Sequence, residues 1–379
     1  MHVAWLGKKS PFCGNVTYSR QTTHALLERN YQVSFLHFAR TAAYGESWPH
    51  CHEVALPFWH KSQIYTIPAP RSSQFLARAL AKLKPDVVHA SLTLSPLDFR
   101  LPDICQELGI PLIATFHPPF DSKLRNFKAS TLQLSYRLYA PFLARYDRAI
   151  VFSRVQRDLL ERLGVPAGRL AVIPNGVDAQ QYSPGPSNFK QRVGAERLFV
   201  YQGRISAEKN LEALLQAWQQ CRLGDRCKLV IVGDGPLLPL LKPLYGKASG
   251  IIWLGFVADE QQRIDILRAA DVFVLPSFVE GLSLSLLEAM SCGVACLATD
   301  AGADGEVLAS GAGVILSTQD TVAQLRTLLP LCRDRHEVTD LLGQRARQRV
   351  LERYTLNGSI ALLESLYAEV RQPQSLGVS

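Results

Sequence analysis

The sequence predicts an α/β fold made of two doubly wound domains. Short apolar runs rich in β-branched residues alternate with longer helical patterns, which is typical of parallel strands covered by helices on both faces. The chain has 379 residues, more than one hydrophobic core usually spans, so two domains are expected. Turn-forming residues at 173–178 and 183–186 interrupt the pattern near the middle, and we place the domain boundary there.

The elements follow the same alternation in both halves. Strands are predicted in the first half at 3–6, 32–37, 87–90, 112–116 and 149–152, with helices at 22–29 and 75–83. The second half has predicted strands at 198–202, 228–232, 251–254, 272–276, 295–299 and 313–316. A last helix at 356–371 is expected to pack back on the first domain, before a disordered tail at 372–379. The predicted domains are therefore 1–172 and 173–355, followed by the segment 356–379.

The positive charge is concentrated in the first half. Residues 1–170 carry 21 Lys and Arg against 11 Asp and Glu, a net charge of +10, which leaves −2 for residues 171–379. The segment 122–148 interleaves basic with aromatic and aliphatic residues, as an interfacial amphipathic helix does. A packed helix with a solvated basic face explains that segment equally well. An anionic partner is expected for the first half alone, and nucleic acid is disfavoured because no binding motif accompanies the charge.

Neither a metal site nor a membrane span is predicted. The eight cysteines show no Cys-x-x-Cys pair, and we interpret them as reduced, packed thiols. His50, Cys51 and His52 are adjacent and have no second ligand pair, so a surface loop is favoured there. The longest apolar runs are far shorter than the roughly 20 residues of a membrane-spanning helix. The chain opens on a strand without a signal-peptide core, so a cytosolic location is expected, peripheral to a membrane surface.

Candidate binding residues follow the strands, because parallel sheets bind ligands at the carboxyl ends of their strands. After the first strand, a loop containing Gly14 and Asn15 opens a helix, and its amides suit a phosphate or sugar oxygen. It matches neither of the common glycine-rich phosphate motifs, so alone it is a weak signal.

The second half has stronger candidates after three of its strands. Arg204 and Lys209 follow Gly203 where a helix is expected, and two cations beside helix-end amides suit a diphosphate leaving group. The turn Gly233, Asp234 and Gly235 brings backbone close to a ligand. Amides of Phe256 and Val257 could read the edge of a nucleobase.

Two glutamates, Glu280 and Glu288, lie eight positions apart after the fourth strand of this half. Eight residues are slightly more than two helical turns, so Glu288 is expected to lie deeper on the helix face that Glu280 precedes. A carboxylate there can accept two hydrogen bonds from vicinal hydroxyls of a sugar or ribose. The alternative is a solvated loop charge and a surface helix pair, which we disfavour because strand, loop and helix recur four times in this half.

These motifs together resemble the retaining glycosyltransferases of family 4, which have the GT-B fold. The resemblance rests on Gly-Arg-x4-Lys, Gly-Asp-Gly, Gly-Phe-Val and Glu-x7-Glu with Leu-Glu-Ala-Met, after Pro-Asn-Gly-Val-Asp. It implies two Rossmann-like domains that face each other across a cleft holding a nucleotide sugar. It also implies that Arg204 and Lys209 hold the donor diphosphate, Glu288 the ribose and Glu280 the donor sugar hydroxyls, with Gly14 near the phosphates and His117 near the transferred sugar.

Two positions depart from the family pattern. The first-domain loop has Cys13, Gly14 and Asn15 where paired glycines are usual. Gly281, Leu282 and Ser283 stand where Gly-Phe-Gly is commoner, and this change is expected to alter how the donor sugar is read.

The resemblance implies a retaining mechanism without a protein nucleophile, metal or cofactor. The acceptor attacks the face from which the nucleotide leaves, so the protein has to stabilise the diphosphate and orient two substrates. No Asp-x-Asp pair is available to hold a divalent ion. A sugar-nucleotide epimerase and a non-catalytic binding subunit are the competing interpretations, and the intact charged residues disfavour both.

The acceptor is less defined by the sequence. Residues 1–18 and 89–96 resemble the bacterial glycolipid branch, in particular digalactosyldiacylglycerol synthases, which implies UDP-galactose or UDP-glucose as donor and a membrane glycolipid as acceptor. The basic first half, expected to meet an anionic membrane surface, agrees with a lipid acceptor. An exopolysaccharide intermediate or a soluble sugar phosphate stays open as the alternative acceptor.

Overall fold

The computed structural model describes residues 1–10, 14–39, 51–62, 65–120, 127–246 and 250–372, and for 127–133 the backbone alone. These residues divide into two compact units. Unit 1 comprises Met1–Pro118, Thr131–Pro174 and Asn357–Ser379, and unit 2 comprises Pro119–Ser130 and Asn175–Leu356. Each unit contains one parallel sheet covered by helices, which is the α/β architecture that the sequence predicts.

The strands are β1 His2–Leu6, β2 Gln32–Phe38, β3 His52–Leu56, β4 Phe58–Lys61, β5 Thr66–Pro68, β6 Val87–Ser91, β7 Leu112–Thr115, β8 Arg148–Val151, β9 Leu170–Val172, β10 Arg197–Gln202, β11 Cys227–Val232, β12 Ile251–Gly255, β13 Val272–Leu275, β14 Ala295–Thr299 and β15 Val314–Leu316. All eleven predicted strands occur, with ends within one residue of the prediction.

The helices are α1 Gly14–Glu28, α2 Ser72–Leu83, α3 Leu101–Leu108, α4 Phe127–Leu143, α5 Arg154–Arg162, α6 Phe189–Arg192, α7 Leu211–Cys221, α8 Leu238–Leu244, α9 Glu260–Ala269, α10 Leu284–Ser291, α11 Asp304–Leu308, α12 Thr321–Asp334, α13 His336–Arg353 and α14 Leu356–Arg371. Helix α1 begins eight residues before its predicted start, whereas α14 has the predicted bounds.

Both sheets reverse their strand order beside their first strand. The sheet of unit 1 has the order β3-β2-β1-β6-β7-β8-β9, and the sheet of unit 2 has the order β12-β11-β10-β13-β14-β15. All neighbours in the two sheets pair in parallel, so loops that follow neighbouring strands meet at one edge. The crevice at such a reversal is where doubly wound sheets bind ligands. In these sheets the reversals lie between β1 and β6 and between β10 and β13.

Three features of unit 1 were not predicted. The edge strand β3 begins at His52, so the surface-loop interpretation of 50–52 is wrong for His52, while His50 lies outside the described residues. The edge strand β9 has three half-buried residues, and β4 and β5 form an antiparallel hairpin apart from the main sheet. Such short or half-exposed strands lack the continuous apolar run that marks a central parallel strand.

Several other sequence predictions concern side chains that the structure describes in part. The seven cysteines among the described residues are free thiols, and five of them are buried. In the segment 122–148, Tyr136 and Tyr139 are buried while Leu134 and Leu138 are exposed, so the described part of α4 combines a packed face with an exposed apolar one. The predicted tail beyond Gln372 and the loop residue Cys13 lie outside the described residues.

Candidate functional site

Two glycine turns bring the loops after β10 and β11 into direct contact. Gly233 has φ +139°, and a Cβ there would lie 1.9 Å from the carbonyl oxygen of Gly203. A Cβ on Gly235 would lie 2.3 Å from the carbonyl oxygen of Ile205, whose amide donates to Asp234 O at 2.9 Å. The close backbone approach predicted for this turn is thus made to the neighbouring loop, and Asp234 itself is exposed. The turn supports the residues that follow Gly203.

Arg204 and Lys209 lie on the loop that follows β10. Arg204 is exposed, and its carbonyl oxygen accepts from Tyr201 Oη at 2.7 Å, which fixes the backbone at the start of the loop. Lys209 ends a short 3₁₀ turn, and the next residue, Asn210, has φ +50°. Asn210 Nδ2 donates to Pro276 O at 3.1 Å, so the loop is held against the segment that follows β13.

Lys209 and Glu280 form an ion pair at the reversal of the second sheet. Lys209 Nζ lies 2.6 Å from Glu280 Oε1, the oxygen that also accepts from Ser277 Oγ at 2.7 Å. Glu280 is only 7% exposed, so the solvated-loop alternative for this residue is wrong. An ammonium has three donors, and one is used by Glu280. The pair therefore presents a cation and an oriented carboxylate at the carboxyl edge of β10 and β13.

The segment 302–304, which follows β14, holds the loop that begins at Glu280. Gly302 has φ +58°, and a Cβ there would lie 2.0 Å from Glu280 O. Ala303 N donates to Gly281 O at 2.8 Å, and Ser283 N donates to Asp304 Oδ1 at 3.1 Å. Burial, followed by the nearby Glu280 carboxylate, raises the pKa of Asp304 well above its usual range. Three consecutive residues thus fix the backbone that presents Glu280.

Helix α10 begins at the end of that loop. Ser283 is its N-cap, with its hydroxyl accepting from Leu286 N at 3.4 Å, and Leu282 O accepts from Asn175 Nδ2 at 3.3 Å. Glu288 lies buried in the helix, and its Oε2 accepts from Gln202 Nε2 at 2.7 Å. Burial raises the pKa of Glu288 to about 7. Its carboxyl therefore has partners different from those of Glu280.

The remaining candidates of unit 2 follow β12. Phe256 is 58% exposed, whereas Val257 is buried and its carbonyl accepts from Arg263 Nη1 at 3.0 Å. The loop after β12 therefore offers an aromatic face to solvent beside a fixed backbone.

In unit 1 a chain of hydrogen bonds joins the loops at the strand-order reversal between β1 and β6. Asn15 Nδ2 donates to Leu92 O at 3.0 Å, which orients the amide so that its Oδ1 accepts from Ser91 Oγ at 2.8 Å. His117 Nε2 lies 2.8 Å from Ser91 Oγ. Ser91 Oγ therefore links the Asn15 amide to the His117 ring. Gly14 is exposed and opens α1 directly before Asn15.

His117 is held as a neutral ring. Burial, followed by the positive charge of Lys8, lowers the pKa of His117 to about 3. The ring meets Tyr18 edge-on, with the two centroids 4.9 Å apart. The neighbouring His89 lies deeper, 2.7 Å from Thr115 Oγ1 and 2.6 Å from Tyr367 Oη on α14. His117 therefore acts as a hydrogen-bonding group at neutral pH, without a charge of its own.

The structure brings most of the predicted residues into two groups. In unit 2 the ion pair of Lys209 and Glu280 lies beside the backbone of 281–283. Glu288 lies about one turn after the start of α10. The sequence reasoning missed Ser277, Gly302 and Asp304 around Glu280. Their signal is position: Ser277 follows β13, the neighbour of β10, and Gly302 and Asp304 follow β14, the next strand of the sheet.

Within the described residues, no group of three or more His, Cys, Asp or Glu side chains could hold a metal ion. None of the helices described is both long and apolar enough to span a bilayer.

Two glycosyltransferase family profiles match the chain. The profile "Glycosyltransferase Family 4" matches residues 14–181, and "Glycosyl transferases group 1" matches residues 196–334. Together they span most of the two units, and the second includes every candidate residue of the unit 2 site from Gly203 to Asp304.

Known proteins with similar sequences are themselves transferases of sugars. The chain is 27% identical to sulfoquinovosyl transferase of Arabidopsis thaliana over 79% of this chain and 58% of that protein, so it spans less than two thirds of this relative. It is 25% identical, over 78% of both chains, to UDP-Gal:alpha-D-GlcNAc-diphosphoundecaprenol alpha-1,3-galactosyltransferase of Escherichia coli. Sucrose-phosphate synthase of Thermosynechococcus elongatus has the same fold, with a TM-score of 0.80 at 20% identity over 97% of this chain and 98% of that one.

Proposed function

Since the chain belongs to the family 4 glycosyltransferases of the GT-B fold, we propose that it transfers a hexose from a nucleotide sugar to a membrane glycolipid with retention of configuration. The observation that carries the proposal is the ion pair of Lys209 and Glu280 at the reversal of the second sheet. It supplies the two groups that such a donor needs, a cation for the diphosphate and a carboxylate for sugar hydroxyls.

The donor binds to unit 2 in this proposal. Arg204, which is exposed, and Lys209 contact the diphosphate, and Glu280 accepts from hydroxyls of the hexose. Glu288 receives the ribose, and the loop of Phe256 and Val257 receives the base. UDP-galactose or UDP-glucose is the donor we favour, and the named donor of the Escherichia coli relative is UDP-Gal.

In the proposed mechanism a single displacement gives retention, because the acceptor oxygen attacks the sugar carbon from the face that the diphosphate leaves. The bond from the anomeric carbon to the diphosphate breaks, the bond to the acceptor oxygen forms, and the acceptor proton passes to the departing phosphate. The two cations stabilise the charge that grows on the diphosphate, so neither a protein nucleophile nor a metal ion is needed. A neutral His117 orients a hydroxyl of the transferred sugar without adding charge.

A lipid acceptor agrees with the charge of the first half of the chain. Residues 1–170 carry a net charge of +10, and a polybasic protein surface is attracted to anionic lipids. The Escherichia coli relative is named for an acceptor sugar linked to diphosphoundecaprenol, which is a lipid carrier. We therefore place the enzyme at a cytosolic membrane surface, with monogalactosyldiacylglycerol as the favoured acceptor and digalactosyldiacylglycerol as the product.

The test is a screen of the purified protein against donors and acceptors. UDP-galactose and UDP-glucose are each combined with vesicles containing monogalactosyldiacylglycerol, with polyprenyl-diphosphate sugars, and with soluble sugar phosphates. A radiolabelled lipid product whose new linkage has the donor's anomeric configuration by NMR is the expected result. Transfer to a soluble sugar phosphate alone contradicts the lipid acceptor. If neither transfer nor donor hydrolysis occurs with any pair, a non-catalytic binding subunit is favoured.

A further inference from the structure

The hairpin of β4 and β5 exposes an unusual set of aromatic and apolar side chains. Trp59 is 69% exposed, Tyr65 45% and Ile67 39%, and Phe75 in the first turns of α2 is 47% exposed. Among the described residues, these include three of the four aromatic side chains that are strongly exposed, the fourth being Phe256. Large aromatic side chains that are exposed together on one short segment indicate a contact surface, whereas single exposed apolar residues scattered over a protein do not.

The hairpin is anchored, so the exposure does not come from a frayed segment. Thr66 is fully buried opposite Lys61, whose Nζ donates to Phe38 O at 2.8 Å. At the base of the hairpin, Ser72 Oγ donates to Pro57 O at 2.8 Å and so joins the start of α2 to the start of β4. One face of the hairpin is therefore fixed to the sheet of unit 1, while its aromatic side chains are directed to solvent.

The charged residues in this part of the chain are all basic. The sequence has no Asp or Glu between Val54 and Pro85, and the basic residues in this stretch are Lys61, Arg71, Arg78, Lys82 and Lys84. Arg71 and Arg78 are exposed and lie on either side of Phe75 in the chain. Aromatic side chains interleaved with basic ones are the composition of surfaces that lie in the headgroup region of an anionic bilayer.

We propose that the β4–β5 hairpin, with Phe75 and the adjacent arginines, is the surface by which this chain docks on an anionic lipid bilayer. The inference rests on the lipid acceptor of the proposed function and names the segment that reaches the membrane. Trp59 and Tyr65 enter the headgroup region, and Arg71 and Arg78 contact lipid phosphates. This segment takes the place of 122–148, for which the sequence leaves an interfacial helix and a packed helix with a solvated basic face equally open.

The hairpin also adjoins the candidate site of unit 1. Lys61 Nζ donates to Ser10 Oγ at 2.9 Å, and Ser10 lies in the loop that follows β1 and precedes Asn15. A bilayer bound by the outer face of the hairpin would bring lipid headgroups to the carboxyl edge of β1. An acceptor could then present its sugar to this edge while its acyl chains stay in the membrane.

The experiment measures vesicle binding by co-sedimentation and by tryptophan fluorescence, with no substrate present. The probes are vesicles of phosphatidylglycerol and phosphatidylcholine in equal amounts, and vesicles of phosphatidylcholine alone. We expect the unchanged protein to bind the anionic vesicles and to shift its emission to the blue. Of the other tryptophans, Trp5 and Trp218 are buried, Trp253 is half-buried and Trp48 lies outside the described residues, so the comparison with Trp59→Phe assigns the shift. Trp59→Phe should abolish most of the shift, and Trp59→Ser with Tyr65→Ser should weaken binding about tenfold or more.

Charge and position are tested by two further double variants. Arg71→Gln with Arg78→Gln should weaken binding to anionic vesicles about 30-fold at low ionic strength and much less at high salt. Leu134→Ser with Leu138→Ser on α4 is the matched control, because these side chains are also exposed, at 64% and 52%, but lie outside the hairpin. The control should bind as the unchanged protein does. Loss of binding in the control with retention in the hairpin variants would assign docking to α4 and overturn the proposal.

Two other results overturn it as well. The first is failure of the unchanged protein to bind anionic vesicles at low salt, and the second is equal binding to vesicles of phosphatidylcholine alone. Hydrolysis of UDP-galactose without acceptor, followed in the same preparations, reports on the donor site and on folding. Hydrolysis without vesicle binding refutes the docking surface and leaves the proposed glycosyltransferase function standing. Vesicle binding without hydrolysis supports the docking surface and contradicts the proposed donor site.

Discussion

The Lys209 ammonium lies 2.6 Å from the Glu280 carboxylate across the point where the strand order of the second sheet reverses. Lys209 follows the first strand of that sheet, β10, and Glu280 follows the fourth, β13, which lies beside it. The side chains are 20% and 8% exposed, so each ion has lost much of its water and relies on the other. Lys209 and Glu280 are far apart in the sequence, and only the fold brings them together.

The first prediction concerns the cations of this site. Arg204→Ala and Lys209→Ala should each lower turnover at saturating donor by about 100-fold, because positive charge that stabilises the leaving diphosphate contributes about 3 kcal/mol. Lys209→Ala should also lower the melting temperature, since it leaves Glu280 buried without its partner. The matched control is Arg226→Ala, a cation of the same unit whose side chain is 76% exposed and pairs with Glu196. Unchanged turnover in both test variants would refute the assignment of the diphosphate site.

Most of the second sheet and its loops could be predicted from the sequence, for a physical reason. Central parallel strands are buried on both faces and read as short apolar runs, and β14 was predicted to the residue. The glycines at 233 and 235 mark turns where a side chain has no room.

What the sequence could not supply is which loops support Glu280. Gly302, Ala303 and Asp304 form an ordinary turn in the sequence, and their contacts with 280–283 arise because β13 and β14 are neighbours in the sheet. The burial of Asp304 follows from the same tertiary contact, since an aspartate is usually exposed. Likewise, the hydrogen bonds from Asn15 through Ser91 to His117 join helix α1, the end of β6 and the loop after β7, which lie far apart in the chain.

The second prediction tests whether the segment 302–304 positions Glu280. Gly302→Ala should destabilise the protein and weaken donor binding, because the new Cβ would lie 2.0 Å from Glu280 O and displace the loop. Gly194→Ala is the matched control: Gly194 has φ +65°, close to the +58° of Gly302, but its Cβ would meet nothing within 4 Å. The control should cost about 1 kcal/mol from backbone strain alone. Gly302→Ala should cost a further 1–3 kcal/mol or so from the clash. Equal unfolding free energies and equal donor affinities of the two variants would contradict the role of the segment 302–304 in positioning Glu280.

The third prediction concerns metal ions. Transfer should persist in excess EDTA, because the positive charge for the diphosphate comes from Arg204, Lys209 and the ends of helices. The measurement is the initial rate of product formation with EDTA, compared with the rate after added magnesium or manganese. Abolished activity that either ion restores would reveal a cation site and would contradict the metal-independent mechanism.

The fourth prediction concerns His117. Its Nε2 is bound to Ser91, and burial lowers its pKa to about 3, so the ring is neutral throughout the range in which the enzyme is assayed. His117→Gln should lower turnover by roughly 100-fold through a lost hydrogen bond to the transferred sugar. Binding of UDP, measured by calorimetry, should be unchanged. A limb near pH 6.5 in the profile of kcat/KM that His117→Gln removes would show that the histidine titrates during the reaction, contrary to this prediction.

The last prediction uses Glu288, whose burial raises its pKa from 4.5 to about 7. In the unfolded chain this carboxyl releases its proton near pH 4.5, so between pH 4.5 and 7 the folded state holds more protons, and its stability falls as the pH rises. Glu288→Gln keeps an acceptor for Gln202 but cannot ionise, so the variant should gain stability relative to the unchanged protein across this window, by up to about 3 kcal/mol above pH 7. The same variant should bind UDP more weakly, because the proposed ribose contact loses its carboxylate. Urea unfolding from pH 4.5 to 8 measures the difference, and calorimetry with UDP measures the affinity. A stability difference that does not change with pH would show that Glu288 ionises normally in the folded protein, which contradicts the raised pKa.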